Sequence, residues 1–131
     1  LREIHDVLAP GGRLVVVTDN VGSPDFRISR SRHWGGYHFP RHWHLYDRDT
    51  LAATARAGGL EVESVATVVS PVNWVYSLRN MLVDLHAPSW MVRPLSLEGS
   101  VALAAGTALD SVFQLAGRGA LLRGVFRRPA D

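Results

Sequence analysis

Cysteine and lysine are both missing from the 131 residues. Without cysteine the chain has no disulfide and no thiolate metal ligand, and nothing points to an oxidising compartment, so the cytoplasm is the expected location. All fourteen basic residues are arginine, and against twelve acidic ones they leave a net charge of only +2. A nucleic-acid reader would need its cations gathered on one face, and a balance this slight does not demand one. A membrane span is also lacking, because it needs about twenty predominantly apolar residues. The nearest approach, residues 97–116, is interrupted by Glu98, Gly99, Gly106, Thr107, Asp110 and Gln114. There is no His-Glu-x-x-His pattern, no internal repeat and no low-complexity tract. Hydrophobic residues at 47% and charged residues at 20% are ordinary for one globular domain.

The chain is organised around residues 8–20, where a helical pattern stops at Pro10-Gly11-Gly12 and Leu14-Val15-Val16-Val17 follows without a polar alternate. Such a run reads as a strand buried on both faces, the kind found in parallel sheets covered by helices, and gives an α/β expectation. Upstream, Leu1, Ile4, Val7 and Leu8 recur along one side of a helix, and Gly11 or Gly12 can take the left-handed position beyond its end. In open α/β sheets ligands bind beyond the carboxyl ends of strands, which puts Thr18, Asp19 and Asn20 at a site edge.

Leu1-Arg2-Glu3 to Leu8, followed by Pro10-Gly11-Gly12-Arg13-Leu14-Val15-Val16, resembles the L-x-E-x-x-x-x-L-x-P-G-G-x-L-x-V signature of class I S-adenosylmethionine-dependent methyltransferases. A second block fits in order: Pro40-Arg41-His42 to Tyr46 and Leu51, then Ala57-Gly58-Gly59-Leu60-Glu61-Val62, is similar to that family's P-x-H…[FY]…L…A-G-[FL]-x-V. The resemblance covers roughly residues 1–70. It implies the C-terminal part of a Rossmann-like seven-stranded sheet, with about three strands present and the last one antiparallel between the two before it. The family's glycine-rich turn and the acidic residue that hold the cofactor have no counterpart, so the S-adenosyl-L-methionine pocket would lie mostly outside this chain. The opening within a helical pattern, without an initiator Met, fits a chain that is the C-terminal portion of something longer.

The rest of the pattern divides the chain into residues 1–70 (strands, acceptor flap and helix), 71–117 (helical cover) and 118–131 (final strand and tail). Residues 21–46 are long and irregular but rich in aromatics, which predicts an ordered flap. Asp47 is placed to cap a helix over 48–57, and residues 60–69 alternate as a strand. Asn73 can cap a helix from Trp74 to about His86, with Trp74, Leu78, Met81, Leu82 and Leu85 on its packed face. A second helix runs over 97–116, and residues 120–126 read as the last strand.

His33, His38, His42 and His44 crowd one stretch. A neutral imidazole suits general-base work on an acceptor hydroxyl, and the resemblance puts His42 first and His44 second as catalytic residues. Asp19, Asn20, Trp34, Tyr37 and Trp43 are the substrate-binding candidates, and no metal site is assigned. Structural roles remain open for all of these: imidazoles tying down the flap, Asp and Asn forming a turn, aromatics simply packing. Five arginines against Asp47 make residues 26–48 basic and aromatic, yet no RNA-binding signature accompanies them.

The expectation is thus a methyltransferase portion acting on a small-molecule acceptor, which the apolar helices suggest is hydrophobic, without a nucleic-acid partner. Oligomeric state is not legible. Three rivals stay open: a non-catalytic half-domain that binds a partner through its open sheet edge, a His-cluster metal site acting as a hydrolase, and, third, a nucleic-acid reader.

Overall fold

A computed structural model describes residues 1–29, 32–37 and 44–130. Three strands, β1 (Arg13–Asp19), β2 (Glu61–Val68) and β3 (Leu121–Arg127), form a sheet in the order β1-β3-β2. β3 runs antiparallel to both neighbours, with Leu14 opposite Phe126 on one side and Val62 opposite Phe126 on the other. The last strand therefore lies between the two earlier ones, as the resemblance implies.

Among the described residues the sheet is accompanied by six helices: α1 (Arg2–Val7), α2 (Pro24–Ser29), α3 (Arg48–Ala57), α4 (Pro71–Asp84), α5 (Ser89–Val92) and α6 (Ser100–Leu115). α3 covers one face. Its Leu51 and Ala55 meet Leu60, Leu122 and Phe126 in the core, with Leu14, Val16, Val62 and Val65 packed around them. Val62 and Val65 are three apart and would point to opposite faces of a regular strand, but the register shifts between Val62 and Ser64 and returns both to the core side. Gly124 leaves room for this packing, since a Cβ there would lie 2.4 Å from the Phe126 ring.

α3 begins with a capping box. The Asp47 carboxylate accepts from the Thr50 amide at 2.8 Å, and the Asp47 amide donates to the Thr50 hydroxyl at 2.9 Å. The Thr50 hydroxyl and amide hold the Asp47 carboxyl below its ordinary range. The cap is therefore intact above the ordinary carboxylate value and lost as pH falls through the folded one. Asp47→Ala is expected to cost about 1 kcal/mol in urea unfolding at neutral pH, with less difference from the parent at low pH.

The sequence expectation fails at three points. β1 is not buried on both faces: its burial alternates, and Val15 and Val17 are 52% and 58% exposed. Four aliphatics in a row do not here mean two covered faces. In α1, Leu1 and Leu8 pack on the core while Ile4 and Val7 face outward. The helix is too short for its whole apolar stripe to reach the sheet.

α4 starts at Pro71, with Ser70 at its cap position, rather than at an Asn73 cap. Its buried side chains are Asn73, Val75 and Ser77, whereas Leu78 and Leu85 are exposed. Proline at the first helical position needs no intrahelical donor, which is why the helix can begin there. No helix among the described residues is long and apolar enough to cross a membrane.

A candidate ligand cavity beyond the strand ends

β1 and β2 run in the same direction, and beyond their carboxyl ends the chain turns into α2 and α4 respectively. α6 packs across α4 at Gly106, which meets Pro71, and the Trp74 and Phe113 rings stack 5.6 Å apart. Between α2, α4 and α6 lies a cavity of about 380 Å³, within the range of small-molecule sites. Ile28 contributes from α2, Trp74, Val75, Leu78 and Met81 from α4, and Ala102, Ala105, Gly106 and Leu109 from α6. Leu95 closes the wall, and among the described residues the polar lining is Asp25, Ser29 and Ser77.

A buried polar layer sits under this cavity and fixes its walls. Asp110 of α6 is fully buried and accepts three N–H bonds: from the amides of Ser70 at 2.7 Å and Ala120 at 3.1 Å, and from the Trp74 indole at 3.0 Å. One carboxyl thereby ties α6 to the start of α4 and to the approach to β3. Gln114 and Thr67 reinforce the joint with two bonds of 2.6 Å. From the other side, the Asn73 side-chain amide donates to Asp19 at the end of β1, at 2.7 Å.

Asp25 is 1% exposed. Its Oδ2 accepts from the Trp34 indole at 2.8 Å, while its Oδ1 has no hydrogen-bond partner among the described residues. Burial pushes this carboxyl above its ordinary range; Ser23, Trp34 and the Phe26 amide pull the other way, and the charge of Asp110 adds to the rise. The Ser29 hydroxyl donates to the Asp25 backbone carbonyl at 2.5 Å, and the Ser77 hydroxyl oxygen accepts from the Gly35 amide at 2.8 Å.

The loop 32–37 lies along α4. Gly35 permits the approach, because a Cβ there would lie 2.5 Å from the Asn73 carbonyl oxygen. The Asn80 side chain donates to the His33 carbonyl, and Arg32 makes a two-pronged ion pair with Asp84. His33 Nε2 is 3.2 Å from the same carboxylate. The Arg32 guanidinium, then His33, hold the Asp84 carboxyl below its ordinary range.

Of the candidate site residues singled out from the sequence, none that the structure describes lines the cavity. Asp19 is bonded to Asn73, and Asn20 forms a turn, donating to the Gly119 carbonyl and accepting from the Gly22 amide. Trp34 is buried between the edges of Phe26 and Tyr37, and Tyr37 is partly exposed. His44 is exposed, its ring 6.2 Å from that of Tyr46. His42 and Trp43 lie outside the described residues. Among the described residues, no group of three or more His, Asp or Glu side chains is arranged to hold a metal ion.

Asp25, Trp74, Ser77 and Met81 are the wall residues that sequence reasoning missed as a set. A signal for the first existed: Ser23-Pro24-Asp25 is a helix start, a small capping residue followed by proline, and it fixes α2 inside the irregular flap.

No family model matches the chain, and no curated protein matches it. Among solved structures, the crystal structure of the [4+2]-cyclase SpnF is similar at a TM-score of 0.45 and 20% identity. The match covers 99% of this chain but only 43% of that one, so the chain spans less than half the length of its structural neighbour. At that score the likeness speaks to neither activity nor ligand.

Proposed function

We propose that the chain is the C-terminal portion of a class I S-adenosylmethionine-dependent methyltransferase and supplies the acceptor cavity for a small, mainly apolar molecule. The observation that carries this reading is β3 lying antiparallel between β1 and β2, the arrangement that the two sequence blocks imply for the end of that sheet. The cavity beyond the carboxyl ends of β1 and β2 supports it, because that is where open α/β sheets bind ligands.

The cofactor does not fit what is present. Its ribose and its amino-acid end need several polar partners, and the cavity offers Asp25, Ser29 and Ser77 in a hydrocarbon wall. This chain's part is to seat the acceptor and keep water away from it. His44, and His42 beside it in sequence, remain the proposed general bases for a hydroxyl acceptor.

The test is transfer of a labelled methyl group by the full-length gene product into organic-soluble material. Incorporation is expected, and Ala102→Phe, which fills the cavity from α6, should lower it at least tenfold while shifting stability by less than about 1.5 kcal/mol. Absence of both incorporation and cofactor retention in the full-length product would overturn the reading. A non-catalytic half-domain docked through the outer edge of β1 would then take its place, favoured by that edge's carrying no strand among the described residues.

A further inference from the structure

We propose that the α2–α4–α6 cavity is a subsite for a hydrocarbon tail: its ligand is an amphiphile whose apolar end enters and is selected by size, while its hydrogen-bonding groups stay outside. This deepens the acceptor-cavity reading and rests on it for the ligand's role, though not for its binding.

The polar residues of the wall offer a ligand no contact. Asp25, Ser29 and Ser77 line the cavity, yet each is 3% exposed or less, so their oxygens lie beneath the surface that a ligand touches. They are also turned to the protein: the Trp34 indole donates to Asp25, the Ser29 hydroxyl to the Asp25 carbonyl, and the Gly35 amide to Ser77. Trp74 brings one further polar atom to the wall, and its indole N–H is spent on Asp110. What remains for contact is hydrocarbon, from Trp74 and Met81 on α4, Leu95, and Ala102 and Ala105 on α6.

A polar group carried into this space would lose its water and gain no partner, which weakens binding about tenfold or more. An anion meets no arginine or histidine among the described lining residues, and a cation would exchange water for hydrocarbon. Ile28, Leu78 and Leu109 line the cavity and are also exposed, so its rim is hydrocarbon as well. The tail is therefore held by buried apolar area alone, and selection falls to volume. Ala102 and Ala105, one turn apart on α6, set that volume, because a longer side chain at either takes up room a tail would fill.

The test titrates 1-butanol, 1-hexanol, 1-octanol and 1,8-octanediol into the intact full-length product by calorimetry. Each added methylene should tighten binding about fourfold. The diol has to bury one hydroxyl to lay its chain in the cavity, and should bind at least tenfold more weakly than 1-octanol. Ala102→Leu and Ala105→Leu should each cut the octanol-to-butanol affinity ratio at least fivefold. Leucine suits a helix, so α6 should persist in both variants, and urea unfolding checks that it does.

Binding of the diol within twofold of 1-octanol would overturn the proposal, because the wall would then supply a polar partner. So would an octanol-to-butanol ratio unchanged in both variants, or failure of 1-octanol to bind the parent. Absence of methyl incorporation by the full-length product, with the chain-length dependence intact, would instead sink only the methyltransferase reading.

Discussion

Asp110→Ala should lower stability by about 3–5 kcal/mol. The fully buried carboxyl accepts from the Ser70 and Ala120 amides and from the Trp74 indole, and alanine would leave all three donors in a dry interior. Each orphaned donor costs about 1–3 kcal/mol, and the three are not additive because the site relaxes. Asp110→Asn should lose less, about half as much, since the amide oxygen still accepts while its NH2 group opposes the remaining donor. Urea unfolding measures both: the midpoint should fall with the slope unchanged, and an unfolding free energy within about 0.5 kcal/mol of the parent for Asp110→Ala would show that these bonds do not hold the helical cover to the sheet.

Trp34→Ala is the second large effect, expected at about 3–5 kcal/mol for loss of a fully packed indole. Trp34 is 1% exposed, wedged edge-on against Phe26 and Tyr37, and donates to Asp25. Trp34→Phe separates packing from hydrogen bonding and should cost about 1–2 kcal/mol.

Its signature lies in pH. Burial raises the Asp25 carboxyl above its unfolded value, so the folded state keeps a proton that the unfolded state releases. Stability attached to Asp25 is therefore fully present below the ordinary carboxylate value and falls as pH rises through the folded one. Removing the indole donor strengthens that trend, and Asp25→Asn abolishes it. A double-mutant cycle between the two positions should return a coupling of about 1–3 kcal/mol, and a coupling near zero would mean that the Trp34–Asp25 bond contributes nothing net.

The local signals in the sequence proved good where a short stretch decides the outcome. Asp47 with Thr50 three residues on is a self-contained cap, and it forms. The third strand falls where residues 120–126 suggest, at Leu121–Arg127, because a β-rich run bounded by Gly117-Arg118-Gly119 has few alternatives. What could not be read depends on residues far apart in the chain.

Val15 and Val17 look like core, yet nothing among the described residues covers their face. Asp110 reads as a charge that interrupts an apolar helix, and only folding brings Ser70, Trp74 and Ala120 to it. Asp25 looks like an ordinary turn carboxylate until Trp34, nine residues on, and the walls of α4 and α6 enclose it. Periodicity reports which face a helix shows its neighbour. It does not report that α4 buries Asn73 and Ser77 and leaves Leu78 out.

The placing of β3 also sets the order of events on the ribosome. Among the described residues β1 and β2 make no ladder with one another, and each meets β3 only once residues 121–127 have been synthesised. More than a hundred residues separate Arg13 from its partner Arg127. Until that late strand arrives, the nascent chain holds the β3-facing edges of β1 and β2 unpaired, and Leu14, Val16, Val62 and Val65 lack Leu122 and Phe126 to pack against, a state open to aggregation and to chaperone capture.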